Sequence, residues 1–344
     1  MKDISVVGLD LAKQVFQVHG VDQSGQVVLR RTLKRRQVLP FFARLSPCLV
    51  GMEACGGMHY WVRALTALGH EVRAMAPVWV RPYRQGDKTD RNDAAAICEA
   101  VQRPHMRFVT PRTPEQQAVL GLHRTRQLYL KQRVALGNHL RALLQEFGIV
   151  LPRGTAAFTQ VRAVLEDAEN GVPMPIRDAV AQLLVQYDQL QQRLAEVEPL
   201  LQSWHRTDAL SQRLVGVPGI GWLTATLLSA VVGDGSAFRN GRQLAAYLGL
   251  VPRQHSSGGK TCLLGISKRG DPYLRSLLVH GARAVLSWVR RRQQAGQTPD
   301  SPWVAQLLAH GHTNRAAVAL ANKTARIVWA MAVTGAVYRP AMAH

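Results

Sequence analysis

A short apolar run near the N-terminus constrains the fold of this chain most. Residues 4–13 read Ile-Ser-Val-Val-Gly-Leu-Asp-Leu-Ala-Lys, a β-branched stretch in which Asp10 is the only carboxylate. Such a run is typical of a buried strand. An aspartate there is costly to bury unless it is paired or binds a metal, although it can also simply cap the turn that follows the strand. The choice between these two interpretations depends on carboxylates elsewhere in the chain.

The first hundred residues predict one mixed sheet. Three strands joined by short turns indicate an antiparallel meander, and two later strands separated by helices indicate a parallel part. The predicted strands are 4–10, 15–19, a third from 27, 48–53 and 71–76, and the predicted helices are 39–45, 58–68 and one from residue 89 or 90 to 101. This order of elements predicts an α/β ribonuclease H-like fold.

Three further carboxylates can converge on Asp10. Glu53 ends a predicted strand, and Asp90 and Asp93 lie three residues apart, on one face of the predicted helix. Acids at a helix N-terminus can simply complement the helix dipole, but like charges on one face also attract a cation. Asp87 has the same spacing and is assigned to the preceding loop. Carboxylate oxygens suit Mg²⁺ or Mn²⁺, and two such ions can act on a phosphodiester. The predicted metal site is formed by Asp10, Glu53, Asp90 and Asp93.

The charge of the chain predicts a polyanionic partner. Its 344 residues include 43 Lys and Arg against 22 Asp and Glu, a formal net charge of +21. This excess favours nucleic acid, because no amphipathic basic helix indicates a membrane surface. The four cysteines have no Cys-x-x-Cys spacing, which argues against a zinc site and favours a reducing cytoplasm. We expect no signal peptide and no membrane span.

The middle of the chain is predicted to be helical. Residues 114–147 and 176–204 carry leucines at helical spacing among arginines and glutamines. This pattern suits a coiled coil or helical hairpin, and equally a bundle helix packed within one chain. The predicted domains are a sheet domain with a trailing long helix at 1–150, a helical coiled-coil linker at 151–205 and a mostly α domain at 206–344.

Two features of the last domain predict contacts with phosphate. The sequence Pro-Gly-Ile-Gly is a helix-hairpin-helix signature, in which Gly219 and Gly221 let backbone N–H groups approach a phosphate, although a glycine can also simply end a helix. The polar segment 251–260 is predicted to be a flexible loop, and its serines are a linker, a nucleophile or part of a phosphate-binding nest. The basic residues expected to contact nucleic acid are Arg253, Lys260, Lys268 and Arg269.

The chain resembles the DEDD-type insertion-sequence transposases, the group related to the Piv and MooV invertases. The shared motifs of the first half are Gly-Leu-Asp-Leu-Ala-Lys, Met-Glu-Ala-Cys-Gly-Gly and Lys-Thr-Asp-Arg-Asn-Asp. Those of the second half are Pro-Gly-Ile-Gly, Tyr-Leu-Gly-Leu-Val-Pro-Arg, Ser-Ser-Gly-Gly-Lys and Ser-Lys-Arg-Gly-Asp. They cover nearly the whole chain apart from its middle.

The resemblance implies a RuvC-like first domain and a serine nucleophile in the last one. The nucleophile maps by position onto Ser257, with Ser256 as the alternative. Members of the family are similar in combining acids of one protomer with the serine of another, in dimers that assemble into tetramers. The resemblance also implies that a bridge RNA, encoded by the element, specifies the donor and target DNA.

The expected function is therefore excision and insertion of an insertion sequence by DNA strand transfer. Lys260, Lys268 and Arg253 would stabilise the charge that develops on the phosphorus oxygens. One alternative is a structure-selective nuclease, like a Holliday-junction resolvase, that uses metal-activated water and no serine. The other is an actin-like sugar kinase or ATPase, against which the high basic charge and the missing second glycine-rich phosphate loop argue.

Overall fold

A computed structural model describes residues 3–87, 89–297, 301–310 and 312–339 of the chain. The chain forms two compact units, Met1–Pro114 and Glu115–His344. Each unit has its own buried hydrophobic clusters. The long helix predicted to trail the sheet domain falls in the second unit, and the domain boundaries at 150 and 205 stay predictions.

A six-stranded mixed sheet forms the centre of the first unit. Its strands are β1 (Val6–Asp10), β2 (Val15–Val21), β3 (Val27–Lys34), β4 (Leu49–Glu53), β5 (Glu71–Met75) and β6 (Phe108–Val109). Their order is β3-β2-β1-β4-β5-β6; β1, β2 and β3 pair antiparallel, whereas β1, β4 and β5 run parallel. The predicted meander and parallel part are thus confirmed. The edge strand β6 was not predicted, because two residues are too few to show the alternation that marks a strand in the sequence.

Four helices complete the first unit: α1 (Val38–Phe42), α2 (Met58–Thr66), α3 (Pro77–Val80) and α4 (Asp90–Val101). The helix α4 begins as the sequence predicts, since the Thr89 hydroxyl accepts a hydrogen bond from the Asn92 backbone N–H at 3.2 Å. On the other side of the sheet, Phe16 of β2 meets Trp61 of α2 edge to face, with ring centroids 5.0 Å apart. The aromatic contact attaches α2 to the sheet.

The second unit begins with a pair of long helices. They are α5 (Pro114–Gln145) and α7 (Met174–Thr207), with the short helix α6 (Gln160–Glu166) between them. Leu140 and Leu144 of α5 share a buried cluster with Leu184 of α7. Towards the other end, Arg126 of α5 forms an ion pair of 2.6 Å with Glu198 of α7. The two helices therefore pack antiparallel within one chain, one of the arrangements that the leucine pattern allows.

A helical core with one β-hairpin forms the rest of the second unit. Its elements are α8 (Ala209–Leu214), α9 (Trp222–Val232), α10 (Gly241–Tyr247), β7 (Pro252–Ser257), β8 (Lys260–Ile266), α11 (Pro272–Gln294), α12 (Pro302–His310) and α13 (Thr313–Thr334). Among the described helices, α13 alone has the length and mean hydropathy of a membrane span. Its residues Ala317, Ala321 and Ala325 are fully buried in the core of this unit, as expected for a core helix.

The prediction of a flexible loop at 251–260 is wrong. Most of this segment forms the hairpin of β7 and β8, which pair antiparallel on either side of a two-residue turn. Gly258 and Gly259 have φ of +54° and +77°, which the tight turn of a hairpin requires and which glycine adopts without strain. The strands escaped prediction because nearly all their residues are exposed, so no alternation of apolar and polar residues marks them.

Candidate active site

Two glycines let α4 lie directly on the sheet. Gly8 of β1 and Gly51 of β4 are neighbours in the parallel register. A Cβ atom at Gly8 would lie 2.1 Å from the carbonyl oxygen of Ala94, and one at Gly51 would lie 2.8 Å from Cβ of Val101. Side chains at either position would push the helix away from the strands.

This packing brings the strand-end acids and the first turn of α4 to the same place. Alternation along a strand puts Asp10 on the face of Gly8 and Glu53 on the face of Gly51, in each case two residues further on. Asp90 lies one helical turn before Ala94, the residue that contacts β1. The sheet face that receives α4 therefore also carries both strand-end carboxylates.

Asp10 is the electrostatic centre of this group. Burial, followed by the negative charges of Asp90, Asp93 and Glu53, raises the pKa of Asp10 to about 7. The four predicted acids are thus close enough to interact, although no group of three or more acidic, histidine or cysteine side chains in the described residues is arranged as a metal site. Their oxygen donors and concentrated negative charge fit Mg²⁺ or Mn²⁺ chemically.

Two arginines that no sequence motif singles out adjoin the acids. Nη1 of Arg84 lies 3.3 Å from Oδ1 of Asp93, and the two side chains are only 24% and 20% exposed. Arg81 and Arg84 line a cavity of about 570 Å³ together with Glu53 and Asp93. A cavity lined by both carboxylates and guanidinium groups suits a phosphate group, which arginine binds with paired hydrogen bonds.

Asp87 does not belong to the acidic group. It lies exposed in a bend before α4, as predicted, and its backbone carbonyl accepts a hydrogen bond from Nδ2 of Asn92 at 2.9 Å. It is also absent from the charges that act on Asp10.

Ser257 lies at the exposed tip of the hairpin. It ends β7 and pairs with Lys260, the first residue of β8, so the two side chains are direct cross-strand neighbours. The Ser256 hydroxyl accepts a hydrogen bond from Nε2 of Gln254 at 2.8 Å. The Ser257 hydroxyl has no such partner in the described part of the chain, and alternation puts it on the opposite strand face. Of the two serines, Ser257 therefore has the hydroxyl without a hydrogen-bond partner in the described part of the chain, and a lysine is its cross-strand neighbour.

The other predicted basic residues are spread along the hairpin and its base. Arg253 is exposed near the start of β7. Lys268 and Arg269 follow β8, in a loop held by a hydrogen bond of 3.2 Å from the Lys268 N–H to the Gly249 carbonyl. The structure therefore brings Lys260 to Ser257 but leaves Lys268 and Arg269 at the other end of the hairpin.

The Pro-Gly-Ile-Gly sequence connects α8 to α9, and its two glycines have different surroundings. Gly219 has φ of +87°, and a Cβ atom there would lie 2.8 Å from the carbonyl oxygen of Gly281 in α11. Close packing against α11 therefore requires a glycine at position 219. Gly221 precedes the first turn of α9 and has open space around it, so a phosphate can approach the helix N-terminus there.

The mixed sheet of the first unit carries carboxylates at the ends of two adjacent parallel strands, an arrangement that suits metal-assisted chemistry on phosphodiesters. Two family models of DNA transposases match this chain, in agreement with such chemistry. Residues 7–149 match the family model of the IS110 DEDD transposases, and residues 211–297 match the "Transposase IS116/IS110/IS902 family". The first unit is accordingly ribonuclease H-like.

The relatives extend over almost the whole chain. A "Probable family 20 transposase" of Pseudomonas aeruginosa is 50% identical over 98% of this chain and 99% of its own length. A "Transposase for insertion sequence element IS1328" of Yersinia enterocolitica is 42% identical over the same shares. A "Pilin gene-inverting protein" of Moraxella bovis is 29% identical over 67% of this chain and 66% of its own length. The chain therefore belongs to the IS110/IS116 family of insertion-sequence transposases.

Proposed function

We propose that the protein excises and inserts its own insertion sequence, using divalent metal and a serine nucleophile. The observation that carries the proposal is the gathering of three carboxylates around Asp10. Membership of a transposase family supports DNA cleavage and strand transfer as the overall activity. The residues that would hold Mg²⁺ or Mn²⁺ are Asp10, Glu53, Asp90 and Asp93. When bound, the metal supplies charge neutralisation and polarisation of a phosphate.

Ser257 is the proposed nucleophile. Its Oγ attacks the phosphorus of a DNA phosphodiester, so that a bond between Oγ and phosphorus forms while the bond from phosphorus to the deoxyribose oxygen breaks. The serine proton leaves, and the departing oxygen takes up a proton. Lys260 would stabilise negative charge on the phosphate oxygens, which its cross-strand pairing with Ser257 supports, and Arg253 and Lys268 would add to this at longer range.

The proposed partners are the DNA of the element ends and target, and a guide RNA encoded by the element. The net charge of +21 supports binding of such polyanions. Gly221 and the N-terminus of α9 would contact a DNA phosphate without reading sequence. We further propose a cytoplasmic homo-oligomer, dimers that assemble into tetramers.

Denaturing gels of the protein with labelled element-end DNA test the nucleophile. We expect a covalent protein–DNA adduct with wild type and with Ser256→Ala, but none with Ser257→Ala, because only Ser257 would form the ester. DNA cleavage retained by Ser257→Ala would favour a nuclease that uses water.

A parallel measurement tests the acids. Asp10→Ala should abolish recombination while nucleic-acid affinity stays close to that of wild type, since lysine and arginine supply most of the affinity. A parallel loss of binding and activity would give Asp10 a structural role instead.

A further inference from the structure

A large groove in the second unit is not used by the site described above. It has a volume of about 1440 Å³ and lies between the base of the hairpin, α10, α12 and α13. This exceeds the roughly 300–1,000 Å³ of an ordinary small-molecule pocket. We infer that this groove binds a single-stranded stretch of nucleic acid.

The charge of the groove selects a polyanion. Arg242, Arg315, Lys323 and Arg326 line it, and all four are exposed. No acidic side chain is among its lining residues, and in the described part of the chain no carboxylate forms an ion pair with any of the four. Cations left without counter-charges along a groove are the electrostatic signature of a nucleic-acid path.

Three of these cations follow one face of α13. Arg315, Lys323 and Arg326 are separated by eight and three residues, and the face between them is completed by the small residue Ala319 and by Asn322. From Arg315 to Arg326 the helix rises about 16 Å, at about 1.5 Å per residue. This is the length of several nucleotides, which rise about 3.4 Å each in a helical strand.

The remaining lining suits unpaired bases. Leu263, Leu264 and Ile266 of β8 contribute apolar side chains, and Leu263 is 65% exposed. Bases that are paired in a duplex have their faces stacked and unavailable, whereas bases of a single strand can lie on apolar and aromatic side chains. The combination of cations and exposed apolar groups therefore favours a single strand over a duplex.

Two tryptophans provide surfaces on which bases can stack. Nε1 of Trp329 donates hydrogen bonds to the carbonyl oxygens of Gly235 at 3.2 Å and Phe238 at 3.0 Å, so this ring is held in place. Trp303 also lines the groove, and the ammonium of Lys323 lies 4.2 Å from the centroid of its ring. An aromatic ring beside a cation is the arrangement that single-strand binding proteins use for a base and its phosphate.

A second copy of this chain is a poorer occupant. Each copy carries a net charge of +21, and a basic groove repels a basic surface. A single strand satisfies both the charge and the apolar lining of the groove.

The hairpin that carries Ser257 also forms part of the groove wall. Pro252 and Ile266, paired at its base, line the groove, while Ser257 lies at its tip. The six residues of β7, from Pro252 to Ser257, span about 17 Å from the first Cα atom to the last. Resting on the proposed function, we assign to the groove the task of holding an unpaired strand near the DNA on which the serine acts.

Binding in EDTA tests the groove separately from the chemistry, because neither metal nor cleavage is needed. The probes are a labelled 12-nucleotide oligo(dT), the matching oligo(U) and a 12-base-pair duplex, measured by fluorescence anisotropy with the full-length protein. We expect the double variant Arg315→Gln, Arg326→Gln to bind a single strand about 10-fold more weakly at 0.15 M salt. Its log–log salt slope should fall in magnitude by about 1.4, that is about 0.7 for each lost phosphate contact.

The matched control is Lys131→Gln, Arg206→Gln, which removes the same charge from exposed positions of α5 and α7 outside the groove. The inference requires that the control and duplex binding change much less than single-strand binding to the groove variant. Loss confined to oligo(U) would assign the groove to a guide RNA, and loss confined to oligo(dT) to an unpaired DNA strand. Equal losses in both variants, or for duplex and single strand alike, would overturn it.

Photocrosslinking gives an independent answer if the double variant folds poorly. Oligonucleotides that carry 5-iodouracil crosslink to aromatic side chains that they contact, and mass spectrometry identifies the peptide. We expect adducts on the peptides that contain Trp303 or Trp329. Crosslinks that avoid both tryptophans would contradict the inference, as would a changed oligomeric mass of the groove variant with unchanged single-strand binding.

Discussion

The charge on Asp10 should make the folded protein less stable when no metal is present. Its pKa rises from 3.8 to about 7 on folding, so the folded state binds the proton more tightly than the unfolded chain does. Stability contributed by the neutral carboxyl is then lost as the pH rises from about 4 through about 7. The concentrated negative charge of the cluster therefore lowers the stability of the folded state at neutral pH.

We therefore predict that Asp10→Asn melts a few degrees above wild type in EDTA at pH 8, since about 1 kcal/mol is recovered after allowing for solvent screening. Mg²⁺ should raise the melting temperature of wild type and leave that of Asp10→Asn almost unchanged. Thermal melts with and without Mg²⁺ measure both effects, with Asp87→Asn as the control outside the cluster. A lower melting temperature of Asp10→Asn in EDTA would contradict this account of the acids.

His123 gives the second unit a different pH dependence. Its Nε2 lies 2.9 Å from the Thr226 hydroxyl, which itself donates to the Leu223 carbonyl, so the imidazole is the donor. Burial, then the charges of Arg126 and Arg124, lower its pKa from 6.5 to about 4. Below about pH 6.5 the imidazole is therefore protonated in the unfolded chain but stays neutral in the folded chain. The stability of the folded state consequently falls as the pH drops from about 6.5 to 4.

We expect His123→Gln to lose about 2 kcal/mol less stability than wild type between pH 7 and pH 4.5. Urea unfolding at the two pH values measures the difference. The exposed His139 of the same helix supplies the control, because His139→Gln should behave like wild type. An identical acid dependence in wild type and His123→Gln would show that this imidazole is not held neutral.

At the level of elements, the crossing of α4 over β1 and β4 decides whether the acids meet. Gly8→Ala would place a methyl group 2.1 Å from the carbonyl oxygen of Ala94. We predict a loss of about 1–3 kcal/mol and of the Mg²⁺-dependent rise in melting temperature, because the helix that carries Asp90 must shift. Gly56→Ala is the control, since a Cβ atom there meets no other atom within 4 Å. Retention of the Mg²⁺ response in a stable Gly8→Ala protein would contradict this role of the crossing.

The elements around the acids follow from the sequence because their signals are local. Apolar runs mark β1 and β4, and the Thr89 cap marks the start of α4. Gly8 and Gly51 belong to the same motifs, but their function depends on a contact with residues about 50 to 90 positions away. A single sequence gives no sign of such a contact.

The hairpin and the groove were harder to predict for different physical reasons. The two strands of the hairpin are held together by backbone hydrogen bonds and by the turn rather than by burial of side chains. In the sequence, only the Gly258–Gly259 pair therefore indicates the hairpin. Arg84 matters because it pairs with Asp93, and Trp303 because its ring lies beside Lys323. Folding alone brings these side chains together, so the sequence does not point to them.

For the whole molecule, charge should dominate nucleic-acid affinity. We predict that log affinity for duplex DNA falls against log salt with a slope of roughly −5 or steeper, if about six or more phosphates are contacted. Titrations between 0.05 and 0.3 M salt measure the slope. A flat dependence would mean that the charge of +21 is ordinary solvated surface.

We propose, as the family resemblance implies, that the acids and Ser257 act on one phosphodiester and are contributed by different protomers. Mixing Asp10→Ala protein with Ser257→Ala protein of different size, followed by a denaturing gel with labelled DNA, tests it most directly. We predict that neither variant alone forms an adduct, and that the mixture forms one on the Asp10→Ala chain, which retains the serine. An adduct on the Ser257→Ala chain, or none at any mixing ratio, would contradict the claim.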